Sequence, residues 1–161
     1  MTSSPDETTK VAELLDGERF AMLTTTDAGG KLHSRPMAMQ EVEFDGDLWF
    51  FATTGSRKVE HIGANPQVNV TVSSNDVWVS LTGTATTTQD DTKKRELWNA
   101  GVEAWFPNGP EADDVLLIRI EADSAEYWDS PGGRIATVFS LAKAKVTGAP
   151  YSGGDNDRVE L

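Results

Sequence analysis

Between residues 32 and 92 the sequence carries only three cations, Arg35, Arg57 and Lys58. Arg57 and Lys58 directly follow Ser56, and Gly55-Ser56 reads as the opening of a short helix. A helix start presents unpaired backbone N–H groups and the positive end of the helix dipole. A serine hydroxyl adds a donor, and arginine adds a planar fork that matches phosphate oxygens. Together these residue types could bind an anion, with a phosphate group as the natural ligand. Spacing alone leaves a second reading open, an ordinary surface helix with solvated charges and a serine cap, because such short motifs recur by chance.

Other reactive types have plainer readings. His33 beside Ser34 hints at a nucleophile–base pair, but adjacent strand residues point to opposite faces. His61 reads as a surface residue of the helix that follows Ser56. Asp90-Asp91 and Asp113-Asp114 read as helix-start and loop carboxylates, and Trp98, Trp105 and Phe106 as packing or interface aromatics. The absence of cysteine excludes disulfides, thiolate metal sites and cysteine nucleophiles. Two histidines argue against a multi-histidine metal centre. No glycine-rich Rossmann or P-loop pattern is present.

The elements that must position the three cations alternate between periods of two and 3.6. Ser4-Pro5-Asp6-Glu7 is a helix start, with Val11, Leu14 and Leu15 on one face and Gly17 as the stop. Strand composition runs from Arg19 to Thr25, and again from Lys31 to about Phe44. Pro36 makes the second of these an edge or bulged strand. Asp45-Gly46 signals a hairpin into the apolar strand Asp47–Thr53, and folding that hairpin would bring Arg35 alongside Ser56. The helix after Ser56 turns Val59, Ile62 and Gly63 inward and ends at Asn65-Pro66. Strands follow near Gln67–Ser73 and Val77–Thr88, with Gly83 marking a bulge or close approach. Asp90-Asp91 starts a helix that turns Leu97, Trp98 and Val102 inward, and Trp105–Pro110 is a turn. Val115–Trp128 is a long strand, and Ile135, Val138, Phe139 and Ala142 recur at helical spacing.

The pattern is mainly β, with about six hairpin-linked antiparallel strands and a few short helices, and it predicts a barrel. A length of 161 residues suits one domain, 1–161, with residues 1–7 as an N-terminal extension and 146–161 as an extended C-terminal tail. With 14 basic and 26 acidic residues the net charge is −12, which argues against nucleic acid or an anionic membrane as a partner. The polar, acidic start lacks the features of a signal peptide, and no apolar run approaches the roughly 18 residues of a membrane helix. A cytoplasmic location is the resulting expectation.

Three segments around the cations carry a resemblance: Ser34-Arg35-Pro36-Met37, Trp49-Phe50-Phe51-Ala52-Thr53-Thr54-Gly55-Ser56-Arg57-Lys58 and Ile62-Gly63-Ala64-Asn65-Pro66. They resemble the flavin-binding half of the pyridoxamine 5′-phosphate oxidase-like split β-barrels, and most closely their bacterial general stress protein branch. Glu96-Leu97-Trp98, Ala104-Trp105-Phe106-Pro107-Asn108-Gly109 and Ala125-Glu126-Tyr127-Trp128-Asp129-Ser130-Pro131 are similar to that branch too. The likeness runs in order over roughly residues 8–152.

This resemblance implies a six-stranded antiparallel split barrel with flanking helices, forming a homodimer with FMN at the subunit interface. It implies that Arg35, Ser56, Arg57 and Lys58 hold the FMN phosphate and ribityl chain. The strand Arg35-Pro36-Met37 and the strand Phe51-Ala52-Thr53 would line the isoalloxazine, and Trp128 would approach it from the partner subunit. The role implied is that of an FMN-binding general-stress-type protein, a flavin-dependent oxidoreductase acting on a small substrate. The alternatives are a non-catalytic flavin-binding or sensing module, or a barrel that binds the deazaflavin F420 instead. After Trp128 the amine-oxidising members carry a basic, His-containing segment. Here the segment Asp129–Val138 contains Arg134 but no histidine, so the resemblance does not extend to pyridoxamine 5′-phosphate oxidation. The flavin-contacting glutamine of those enzymes is also replaced, near Trp78.

Overall fold

The computed structural model describes residues 5–74, 77–129 and 155–161. Along them run α1 (Pro5–Leu15), β1 (Phe20–Thr26), β2 (Leu32–Ala38), β3 (Asp47–Thr53), α2 (Arg57–Ala64) and β4 (Gln67–Ser73). Then come β5 (Val77–Thr88), α3 (Asp91–Leu97), α4 (Ala100–Trp105), β6 (Val115–Asp129) and β7 (Asp155–Glu160). The period-two stretches bury alternate residues as a one-sided strand must. In β1, Ala21, Leu23 and Thr25 are buried, and in β4 so are Val68, Val70 and Val72. The apolar ones among these, with Val79 and Leu81 of β5 and Val11, Leu14 and Leu15 of α1, build the central core. The apolar run of β3 is buried on both faces. Leu48, Phe50 and Ala52 enter that core, while Phe51 joins Leu97, Val102, Val115 and Leu117 in a second cluster covered by α3 and α4.

The strands form one antiparallel sheet in the order β2-β1-β4-β5-β6-β3, with β7 also paired to β6. On one edge, β6 pairs β5 along its length; on the other, Val115–Glu121 pairs β3 and Ser124–Asp129 pairs β7. The two ends of the path, β2 and β3, approach each other without pairing. This is the split barrel that the family resemblance implies, with one strand more. Residues 155–160 are not a simple surface tail, because Val159 is buried opposite Ala125. The single apolar residue in that acidic stretch gave no strand signal. The stretch of β6 beyond the end of β3 supplies the open edge that recruits it.

Three other expectations change. Asp45-Gly46 does not close a hairpin between β2 and β3, since β2 pairs β1 and β3 pairs β6. The second strand stops at Ala38, and the chain between it and β3 is too long for a two-residue turn, with Phe44 buried in the core. The helix begun by Asp90 breaks at Trp98, and Asn99 caps α4 by accepting from the N–H groups of Gly101 and Val102. Gly63 faces solvent rather than the core. The helix expected over 135–142 lies outside the described residues. Gly83 does mark a close approach: the β5–β6 register shifts there, and a Cβ would overlap the Glu121 carbonyl oxygen. Among the described residues no helix is long and apolar enough to cross a membrane.

Candidate functional site

Ser56 is the N-cap of α2, with φ −75° and ψ 150°. Its carbonyl oxygen accepts from the N–H groups of Val59 and Glu60, at 3.1 and 3.2 Å. The N–H groups of Arg57 and Lys58 precede the first intrahelical bonds and stay open. The Ser56 hydroxyl makes no capping bond and is buried without a hydrogen-bond partner among the described residues. Such a group costs about 1–3 kcal/mol. A ligand oxygen or a water can supply the missing partner. Helical spacing places Lys58, His61 and Ile62 on the side of α2 that meets the sheet, with His61 and Ile62 buried and Lys58 half-buried. Arg57 lies at the same turn but on the solvent side.

Arg35 comes to this corner from the edge strand β2, opposite Leu23 of β1. It shares the inward face with Met37 and is half-buried. Its Nη1 donates to the Leu23 carbonyl at 3.2 Å and to Thr25 Oγ1 at 2.7 Å. Among the described residues no carboxylate pairs with Arg35, Arg57 or Lys58. Burial, and after it the nearby Arg35 charge, holds the Lys58 ammonium below its ordinary pKa, and burial likewise lowers Arg35. Two half-buried cations that repel each other, a partnerless buried hydroxyl and open helix-start amides make a donor set for an anion.

Behind Arg35 lies a polar group that sequence reasoning missed. His61 is buried, not exposed, and its Nδ1 lies 2.9 Å from Thr25 Oγ1. The ring of His33 sits 4.9 Å from that of His61, and His33 Nε2 lies 2.9 Å from Asp27 Oδ2. The His33 bond, and next the Lys31 amide, hold the Asp27 carboxyl below its usual range. Ser34 faces the other way and bonds Thr24, so no His33–Ser34 pair forms. One signal was available in the sequence. Thr25 continues the alternation of Ala21 and Leu23, so a hydroxyl stands at a core position and needs partners.

The remaining candidates are more dispersed. Met37 and Ala52 are buried in the central core. The Phe51 ring packs edge-on against Trp98 at 5.4 Å and near Phe106 at 6.3 Å. Pro36 and Thr53 are exposed on β2 and β3, whose facing edges take part in no ladder among the described residues. Trp128 is exposed beside Trp78 at the far end of β6, thirteen residues beyond the Val115 that pairs Thr53 just before α2, so it stands away from the Arg35–Lys58 corner within one chain.

Fold and corner together define a split-barrel protein with a set of donors suited to an anion at the start of α2. The family model described as "Pyridoxamine 5′-phosphate oxidase like" matches residues 6–152, and the chain belongs to that family. Protein bli-3 of Neurospora crassa is 30% identical over 152 residues, spanning 87% of this chain and 73% of that protein. A putative general stress protein 26 from Jannaschia sp. CCS1 is similar in structure, with a TM-score of 0.79 and 25% identity over 98% of this chain and 100% of that one. A general stress FMN/FAD binding protein from Xanthomonas citri gives a TM-score of 0.67 and 28% identity, over 78% of this chain and 90% of that one.

Proposed function

We propose that this protein binds FMN at the Arg35–Ser56–Lys58 corner and works as a flavin-dependent oxidoreductase on a small substrate. The observation that carries the reading is the buried Ser56 hydroxyl, without a partner at a helix start beside two unpaired, half-buried cations. The likeness to an FMN/FAD binding protein supports a flavin as the source of the anion. Arg35, Ser56 and Lys58 would hold the phosphate, with Arg57 reaching it from the solvent side of the same turn. The facing edges of β2 (Arg35, Pro36, Met37) and β3 (Phe51, Ala52, Thr53) have backbone groups in no ladder among the described residues and suit the polar rim of the ring. Met37, Phe51 and Ala52 would contribute through their backbone, because their side chains fill the cores. A bound flavin supplies two-electron transfer between a reduced nicotinamide and a small acceptor. The chain's own part is to fix the phosphate, order the ring and limit access of water to it.

A homodimer belongs to this reading. Phe20, Met22, Leu32, Trp78 and Trp128 leave large apolar side chains exposed on the outer face of the sheet. A second copy covering that face would bring its Trp128 toward the cleft.

The test is direct. Purified protein should be yellow, or become so with FMN, and released cofactor should have the mass of FMN. A colourless protein that takes up no FMN would sink the reading, and a released mass of F420 would replace the cofactor. Reduction by nicotinamide donors followed by reoxidation would establish turnover. Full flavin occupancy with no turnover would leave a binding or sensing module. Sedimentation should give a dimer.

A further inference from the structure

Arg35 has no acidic partner among the described residues, so its direction is set by the acceptors behind it, the Leu23 carbonyl and Thr25 Oγ1. Any sequence would supply the carbonyl; the hydroxyl depends on Thr25. Thr25 is fully buried, and a buried hydroxyl is favourable only when it both accepts and donates. Arginine is a donor only, so Thr25 accepts from it. The hydrogen left on Thr25 can then be donated to the neighbouring His61 Nδ1, 2.9 Å away. His61 lies on α2, the helix whose first turn carries Ser56 and Lys58. The chain Arg35–Thr25–His61 therefore joins β2, β1 and α2, the three elements that meet at the corner. The His33 ring, held by Asp27, flanks its far end.

We propose that Thr25 and His61 form an inner hydrogen-bond relay that aims the Arg35 guanidinium at the phosphate and so sets the preference for a phosphorylated flavin. Both are positioning residues, and the proposal rests on the phosphate-site reading above. The relay runs from Arg35 N–H to Thr25 Oγ1, and from Thr25 O–H to His61 Nδ1, which places the imidazole proton on Nε2.

The experiment compares FMN with riboflavin, which lacks the phosphate, by fluorescence titration. Thr25→Val should reduce the FMN-over-riboflavin preference about tenfold, as an unaimed charge-assisted contact would. Riboflavin affinity should stay unchanged, which a general loss of structure would not allow. Thr25→Ser should restore the preference, His61→Leu should mimic Thr25→Val, and His61→Asn should retain most of it. An unchanged preference in Thr25→Val, in a protein where Arg35→Met abolishes it, would overturn the relay. An unchanged preference in Arg35→Met would remove the phosphate reading itself, and the relay with it. Imidazole ¹⁵N spectra of the native protein give a test that needs no variant. His61 should carry its proton on Nε2, and a proton on Nδ1 would overturn the relay.

Discussion

Lys94 and Lys58 show two ways of burying an ammonium group. Lys94 is 1% exposed and donates to Asp91 Oδ1 at 2.9 Å, Gln89 Oε1 at 3.1 Å and the Val115 carbonyl at 3.1 Å. Its three donors are satisfied, and they fasten the short helix α3 to β6. Lys58 is half-buried, has no such partner among the described residues and faces the Arg35 charge. A buried cation with a complete partner set is part of the scaffold. A cation left without one, beside a second, gains no such anchor and is open to an anion.

The comparison can be broken most easily at Lys94. Lys94→Met should lower stability by about 3 kcal/mol, because it strands a buried carbonyl and the other acceptors. Urea unfolding measures this, and FMN affinity should stay unchanged. A loss below about 1 kcal/mol would make the two lysines alike. Lys58→Met should do the reverse, weakening FMN by about 1.5–3 kcal/mol while slightly raising the stability of the cofactor-free protein. Ser56→Ala should act in the same sense at about 1 kcal/mol, since it deletes a partnerless buried hydroxyl. If either change destabilised the cofactor-free protein as Lys94→Met does, the corner would be scaffold.

Alkaline pH gives a finer measure. Burial and Arg35 hold Lys58 below its ordinary 10.5, so the folded protein loses this proton before the unfolded chain does. FMN affinity should therefore fall as pH rises through the lowered value. Over the same range, up to 10.5, the cofactor-free wild type should gain stability relative to Lys58→Met. A pH slope in FMN affinity that persists in Lys58→Met would assign it to another group. The smallest effect concerns Asp27, whose pKa lies below the ordinary 3.8 chiefly through His33. Its contribution is complete above that ordinary value and is lost as pH falls through the lowered one. His33→Asn should return Asp27 toward 3.8, as read by carboxyl NMR titration, without changing FMN affinity.

Much of the fold was legible because burial and strand period reinforce each other. The alternation of β1 and β4, the two-sided burial of β3 and the close approach at Gly83 follow from local pattern. The β2–β3 connection was not legible. A turn signal says where the chain can bend, whereas pairing depends on which strand offers the better partner, and the long apolar β6 takes β3. His61 was misread for a related reason. Gly63 was placed inward, but α2 packs with Lys58, His61 and Ile62 toward the sheet. A rotation of one residue about a helix axis changes every neighbour.

The sequence by itself determined that this acidic chain forms a mainly antiparallel β fold. It also determined that the three cations between residues 32 and 92 are candidates for one anion site. Residue types, period and helix-start chemistry are local quantities, and they suffice for that much. Only the tertiary structure decided which charges converge. It seats Arg35 on an edge strand beside Lys58, leaves Arg57 facing solvent and gives Lys94 the partners that Lys58 lacks. It also joins Arg35 to Thr25 and His61, residues 10 and 36 positions from Thr25 along the chain for Arg35 and His61 respectively. The physical reason is that desolvation and charge pairing depend on distances across strands and helices, and no local pattern in the chain encodes those distances.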